Sequence, residues 1–429
     1  MQETLKLDIT DKHSKKSKSI SGQNLINWFV FFLAFPALSI LGNSITFYIF
    51  IAIVIKVGSF WKKKFKGKAL FLSFVSVIIV STILAPYSKM DRHPGIFSSL
   101  LILIQYIYWI LVASFFIAFK NSINYFLLSK WLFYGTVSAI LGFFVLRFNL
   151  NLSIIEITLR SSRNAFIFTL LCTIPICFHY LQKKRGALNM IFYFLFFLFI
   201  MLFTNGRSGA IIIIIQLLLI ASIIYPNYNR IFKFSIIPFL AIFFSLQTDN
   251  AQIYLNTLAN QVQPINPRVA SLLRQEGEGD LTADKSWLLR KLMVDKGNDI
   301  AKEFPVLGVG PNNFIYFDTK FSTINQYDRL QSESKEFYNS RSAHNSYIQT
   351  LSELGYSGLL LLVFIIGLPM LHFFRVFWLT ELNLHHLPLI SLLGMSIHFY
   401  AISSLTGAIP WMIFGLAWAS TLLKRREIR

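Results

Sequence analysis

Apolar positions run along this chain in long unbroken stretches. Runs such as "FLSFVSVIIVSTILA", "MIFYFLFFLFIMLF" and "AIIIIIQLLLIASIIY" approach or match the ~20 residues that an α-helix needs to cross ~30 Å of hydrocarbon. The polar breaks between such runs predict twelve helices, at 24–41, 44–60, 69–86, 97–119, 131–150, 164–182, 188–204, 210–226, 234–247, 357–374, 389–405 and 411–423. One interval differs. Residues 248–356 form a connection of 109 residues with 11 basic and 13 acidic side chains, a mixed composition like that of a folded soluble element. The expected fold class is therefore an all-α polytopic membrane protein, with about 12 transmembrane helices and one large extramembrane loop that itself contains helices. Its parts are a basic tail at 1–23, helices at 24–247, the loop at 248–356, helices at 357–423 and a second basic tail at 424–429.

Composition agrees: 55% of the 429 residues are hydrophobic, more than a soluble chain usually carries. The net charge of +20 raises nucleic-acid binding, but its placement argues against that. "KHSKKSK", "WKKKFKGK", "KNSINYFLLSK", "KKR", "NRIFK" and "KRREIR" hold about half of the 40 lysines and arginines, and all fall on one side of the expected bundle. The opposite short connections, "YSKMDRHPG" and "NGRSG", carry few. An excess of positive charge marks the cytoplasmic side, so both termini are expected there, with the basic face against anionic inner-leaflet lipid. No nucleic-acid partner is expected. The long polar N-terminus does not read as a cleavable leader. Cys172 and Cys177 lie in "TLLCTIPICFHY" and read as small buried hydrophobes. No metal site is drawn from them or from the histidines.

The chemistry-bearing residues gather on the other side. In the long loop, "TADKSWLLRKLMVDKGNDIAKEFP" reads as one helix, capped by Thr282 or Asp284 and closed by Pro305. Its interrupted apolar stripe suits a helix lying flat on the membrane surface. "PVLGVGPNNF" follows as a glycine turn that returns Phe314 to an apolar layer. From Ala343, "AHNSYIQTLSELGYSGLLLL" reads as helix entering the membrane, with His344, Tyr347 and Leu351 on one face. Arg207 lies in the hairpin "FTNGRSGAII", Arg290 on the loop helix, Arg341 just before His344, and Arg160 and Arg163 in "TLRSSRNAF". Arginine makes paired hydrogen bonds to phosphate and stays charged, whereas a neutral imidazole, with a reference pKa of ~6.5, suits proton abstraction. Each also has a plainer reading: His344 as a loop-bonding group, Arg207 snorkelling to headgroups, Arg290 as a surface charge, and Arg160, Arg163 and Arg341 as interfacial residues.

"NGRSGA" after an apolar helix, an Arg-bearing loop helix running into "PVLGVGPNNF", and "AHNSYIQTLSELGYSGLL" together resemble the O-antigen ligase and O-antigen polymerase superfamily, bacterial inner-membrane glycosyltransferases of the GT-C type. The resemblance is strongest over about residues 190–370. It implies an undecaprenyl-diphosphate-linked glycan as donor and a periplasmic hydroxyl as acceptor, on a growing glycan or on lipid A-core. It implies no cofactor or metal, a chain-length regulator as a further partner, and an active site facing the periplasm. By motif, His344 resembles the family's catalytic base, and Arg207 and Arg290 the arginines that meet the diphosphate. Arg341 is a plausible helper, and Tyr347 and Gln349 are candidates for the acceptor site. The second histidine of some ligases, two residues before the catalytic one, is replaced here by Ser342, and polymerase and ligase both stay open. The competing class is a flippase for the same lipid-linked saccharide. The sparse intramembrane acids and the large loop speak against it.

Overall fold

The computed structural model describes residues 23–35, 39–40, 43–58, 63–90, 96–147, 166–182, 207–225, 257–264, 285–317, 342–380, 382–400 and 403–422. Their helices are α1 (Gln23–Ala34), α2 (Ile45–Val57), α3 (Lys68–Ile83), α4 (Ile96–Ala118), α5 (Tyr125–Arg147), α6 (Phe166–Gln182), α7 (Arg207–Ile224), α8 (Lys285–Glu303), α9 (Ser346–Leu379), α10 (Leu387–His398) and α11 (Ala408–Leu422). A short helix spans 257–262. Strand pairing among the described residues is slight: Ser39–Ile40 pairs antiparallel with Asn43–Ser44, and Met90 bridges Phe317. Ten of the twelve expected helices have a described counterpart. Those expected at 188–204 and 234–247 lie outside the described residues.

Two helices, α4 and α9, are long and apolar enough to cross a membrane, and six of the shorter helices are apolar as well. The chain is thus helical and built as a membrane protein would be. Helix α11 packs along α4, α1 along α5, α9 along α3, and α10 against both α7 and α11. One large apolar cluster runs through them, including Phe29, Phe71, Phe116, Phe373 and Trp411. Bulk apolarity alone does not hold helices together in lipid, so packing and interhelical hydrogen bonds set the geometry. Gln216 shows how. Its side chain is fully buried in α7, and Nε2 donates to Leu171 O of α6 at 2.9 Å and to Ile390 O of α10 at 3.2 Å. Gly394 of α10 leaves the room it needs, because a Cβ there would fall 2.1 Å from Gln216 Nε2. Trp418 Nε1 likewise donates to Ile365 O, tying α11 to α9.

A second, smaller core caps one end of this bundle. Met293 and Ile300 of α8 join Ala85, Met90, Val309, Phe314, Phe317 and Ala343. The apolar side of the described part of α8 is therefore covered by the chain itself. At this end of α8 a Cβ on Gly297 would strike Ile348 Cγ2 of α9, so the small residue seats the helix on protein; the side chains of Trp287, Leu288 and Leu292, on which the expectation of a lipid-lying helix also rests, lie outside the described residues.

The Gln216 bridge yields a test. Gln216→Leu removes both interhelical bonds and should cost about 1–2 kcal/mol. Gly394→Val pushes a side chain into Gln216 and should cost more, by overpacking. Thermal unfolding in detergent should rank the midpoints wild type, Gln216→Leu, Gly394→Val, from highest to lowest.

Candidate functional site

The site begins with a break in α9. Gly355 takes φ 67° and ψ −169° inside the element and divides it into a short helix, 346–354, and the long apolar helix that follows. A break of this kind frees backbone groups that must find partners elsewhere. The turn after α8 supplies them. Val309 N donates to Ser352 O at 3.0 Å, Gly310 N to Glu353 O at 2.8 Å, and Tyr356 N returns a bond to Pro305 O at 2.7 Å. Ser81 Oγ, at the end of α3, bonds both Leu307 O and Glu353 O. The approach is so close that a Cβ on Gly355 would lie 2.3 Å from Val306 O, and one on Gly308 (φ 65°) 2.4 Å from the carbonyl carbon of Glu353. The segments "PVLGVGPNNF" and "SELGYSG" are thus two halves of one joint.

At the other end of the short helix, Asn345 is the N-cap: its Oδ1 accepts from Tyr347 N at 3.0 Å and Ile348 N at 3.1 Å. Ser346 is locked to the neighbouring helix, with its N donating to Phe399 O at 2.8 Å and its Oγ accepting from Ser404 N at 3.0 Å. His344 stands just before this cap, half-buried, with φ +50°. A positive φ is uncommon for a residue with a side chain and persists only where the surroundings enforce it. Here the buried Ala343 on one side and the cap on the other do so. The helix starts at Ser346 rather than Ala343, so His344 does not share a helical face with Tyr347 and Leu351. It projects from the loop instead, because Asn345 ends the helix first.

The other expected residues distribute as follows. Arg207 is the first residue of α7. Helix α7 runs antiparallel to α10, since Gln216 meets Ile390 while Gly394 meets both Gln216 and Ile212. Its N-terminal end therefore points toward Phe399, whose carbonyl holds Ser346. Arg290 lies in α8, seven residues and so two turns before Gly297, the point of contact with α9. The start of α7 thus approaches the end of α10 that bonds Ser346, two residues after His344, and α8 meets α9 at Ile348, four residues after it. Arg341, Arg160 and Arg163 lie outside the described residues. Tyr347 and Gln349 both spend their polar groups within the chain: Tyr347 Oη donates to Ser396 O at 2.8 Å and Gln349 Nε2 to Glu353 Oε1 at 2.9 Å. That favours a positioning part over direct acceptor contact.

Two buried charges were not assigned from the sequence. Glu353 precedes the kink and lies outside the apolar span after it. Burial pushes its carboxyl up to about 7, although backbone N–H groups of Asn312 and Phe314 and the Gln349 amide favour the charged form. Lys296 of α8 is fully buried, with Nζ 4.8 Å from the Phe314 ring centre. Its spacing from Met293 and Ile300, three before and four after, placed it on the apolar stripe and could have flagged it. At the opposite end of the bundle, His179 lies 6.5 Å from His385 between ring centres. Among the described residues no group of three or more His, Cys, Asp or Glu could hold a metal ion.

The Glu353 carboxyl has a pH signature. A folded-state pKa above the unfolded value near ~4.3 means that the folded form holds the proton more tightly. This contribution to stability is complete below ~4.3 and is lost as pH rises through about 7. The wild-type unfolding midpoint should fall between pH 5 and 8, and Glu353→Gln should flatten that dependence.

No curated protein matches the chain. The family model described as O-antigen ligase matches residues 192–363, a span that contains Arg207, Arg290, Arg341, His344 and both halves of the Gly355 joint, and over that region the chain is similar to the O-antigen ligase family.

Proposed function

We propose that this membrane enzyme of the O-antigen ligase/polymerase type transfers a glycan from undecaprenyl diphosphate to an acceptor sugar hydroxyl on the periplasmic face of the bacterial inner membrane. The observation that carries the reading is His344: an imidazole held at positive φ by the cap that follows it, within the family-matched region. In this reading it acts with Arg207, the first residue of α7, and Arg290 of α8.

In this reading a neutral His344 takes the proton of the acceptor hydroxyl as its oxygen attacks the anomeric carbon. The carbon–oxygen bond to the diphosphate breaks in line, the leaving oxygen keeps the electron pair, and the configuration inverts. The arginines supply the compensation: Arg207 and Arg290, helped by Arg341, stabilise the charge that gathers on the departing diphosphate. No metal is assigned a part. Both termini face the cytoplasm, and the prenyl tail lies along the lipid-facing side of the helices. Extension of a lipid-linked chain and delivery to lipid A-core use the same residues, so the acceptor that yields product distinguishes polymerase from ligase.

The test is turnover in membranes supplied with defined lipid-linked glycan, following release of undecaprenyl diphosphate. His344→Ala should lose about 10²–10⁴ in rate, the usual contribution of a positioned base. Arg207→Ala should lose about 10²–10³, with Arg207→Lys intermediate because one ammonium replaces a two-pronged donor. Wild-type turnover in either alanine variant removes that residue from the mechanism. Movement of intact lipid-linked glycan across vesicles without diphosphate release rejects the transferase reading.

A further inference from the structure

A cavity of about 480 Å³ lies between the end of α1, the starts of α2 and α6, the middle of α4 and the 403–410 segment leading into α11. Its described wall carries no charged side chain. It combines rings, Phe47, Tyr108 and Trp109 among them, with the hydroxyl and amide groups of Gln105, Ser403 and Thr406. Ser403 Oγ is buried with no hydrogen-bond partner. Tyr108 Oη sits beside Thr46 without a bond of good geometry. Buried polar groups usually find partners, so an orphaned hydroxyl on a cavity wall marks a place where a ligand's polar group completes the set. The volume falls in the range of small-molecule sites.

The wall chemistry selects among ligands. A diphosphate needs cationic partners, and the described wall offers none. A prenyl chain would take Thr406 and Gln105 out of water without a polar partner, at a cost of about 1–3 kcal/mol per group, and would leave Ser403 unpaired as it is. A neutral pyranose fits: its C–H faces stack on rings while its hydroxyls bond the rim. The cavity also adjoins the catalytic loop. Ser404, on the same wall, donates its N–H to Ser346 Oγ at 3.0 Å, and Ser346 stands two residues after His344.

We propose that this cavity is a saccharide subsite that holds a neutral sugar unit of the acceptor beside His344. The proposal rests on the transferase reading above. Its described lining residues all lie outside the family-matched 192–363, so the subsite belongs to the part of the chain that the shared region does not determine, and it can set which acceptor is used.

The experiment titrates the full-length protein in nanodiscs with the delipidated repeat-unit oligosaccharide from the host's own surface polysaccharide, and in parallel with farnesol as a prenyl probe. Two variants are compared. Thr406→Trp fills the cavity from its exposed rim, and Ser403→Ala deletes the orphaned hydroxyl. A merely structural hydroxyl left unpaired contributes nothing favourable to the fold, so Ser403→Ala should keep or raise the unfolding midpoint while weakening saccharide binding about 3- to 10-fold. Thr406→Trp should weaken it more than 10-fold. In turnover, both should raise the KM for acceptor and leave the KM for donor unchanged. The proposal is overturned by absence of saccharide binding to wild type, by saccharide binding unchanged in both variants, or by variants that lose farnesol binding and keep saccharide binding. A rise confined to the donor KM also overturns it. If wild type releases no diphosphate yet binds the oligosaccharide in a manner the variants abolish, the transferase reading fails and the saccharide site stands.

Discussion

A broken helix in an apolar setting has to satisfy the backbone groups it frees, and the architecture around His344 follows from how that demand is met at Gly355. The carbonyls of Ser352 and Glu353 accept from Val309 and Gly310, and Ser81 Oγ bonds Glu353 O from α3. These bonds bind the turn after α8 to the mouth of α9 and fix where α8 can lie. Once α8 is placed, Met293, Ile300 and Phe314 close the small outer core around Ala343. The residue after Ala343 is His344. The backbone position of His344 thus depends on a joint eleven residues downstream, through the packing around Ala343.

The same economy recurs across the bundle. Buried Ser and Thr hydroxyls mostly bond a carbonyl of their own helix, whereas the longer polar side chains reach a main-chain carbonyl on another: Gln216 to Leu171 and Ile390, Trp418 to Ile365, Tyr347 to Ser396. A carbonyl has a spare lone pair even inside a helix, so these bonds add cross-links without breaking any ladder. Near His344 the ties involve Ser346 instead, whose Oγ accepts from Ser404 N and whose N donates to Phe399 O. A site that must hold a reacting geometry gains from that rigidity.

Much of this was legible in the residues. Runs of apolar side chains located ten described helices, because hydropathy over a helix length is a strong, local signal. The glycine turn and the return of Phe314 to an apolar layer were legible from "GVGPNNF". Helix ends were less so. The start at Ser346 turns on Asn345, a residue favoured at N-caps, which outweighed the helical reading from Ala343. For α8, amphipathicity shows that a face is apolar and not what covers it; around Gly297 the covering surface is Ile348 of α9. The burial of Glu353 was out of reach for a similar reason: its partners Asn312 and Phe314 lie some forty residues away in the chain and meet it only through the folded joint.

Charge and its absence then divide the end of the bundle between two kinds of recognition. The helices that carry Arg207 and Arg290, α7 and α8, belong to the family-matched region, and in the proposed function guanidinium groups suit the anionic part of a lipid-diphosphate donor. The cavity beside Ser404 is uncharged along its described wall and is built from α1, α2, α4, α6 and the 403–410 segment. Sugars differ from one another in the placement of neutral hydroxyls, which only short-range hydrogen bonds and ring contacts can sense. In the proposed function, recognition of an anion and of neutral hydroxyls therefore falls to different residues, and the hydrogen bond from Ser404 N to Ser346 Oγ links the cavity wall to the family-matched region.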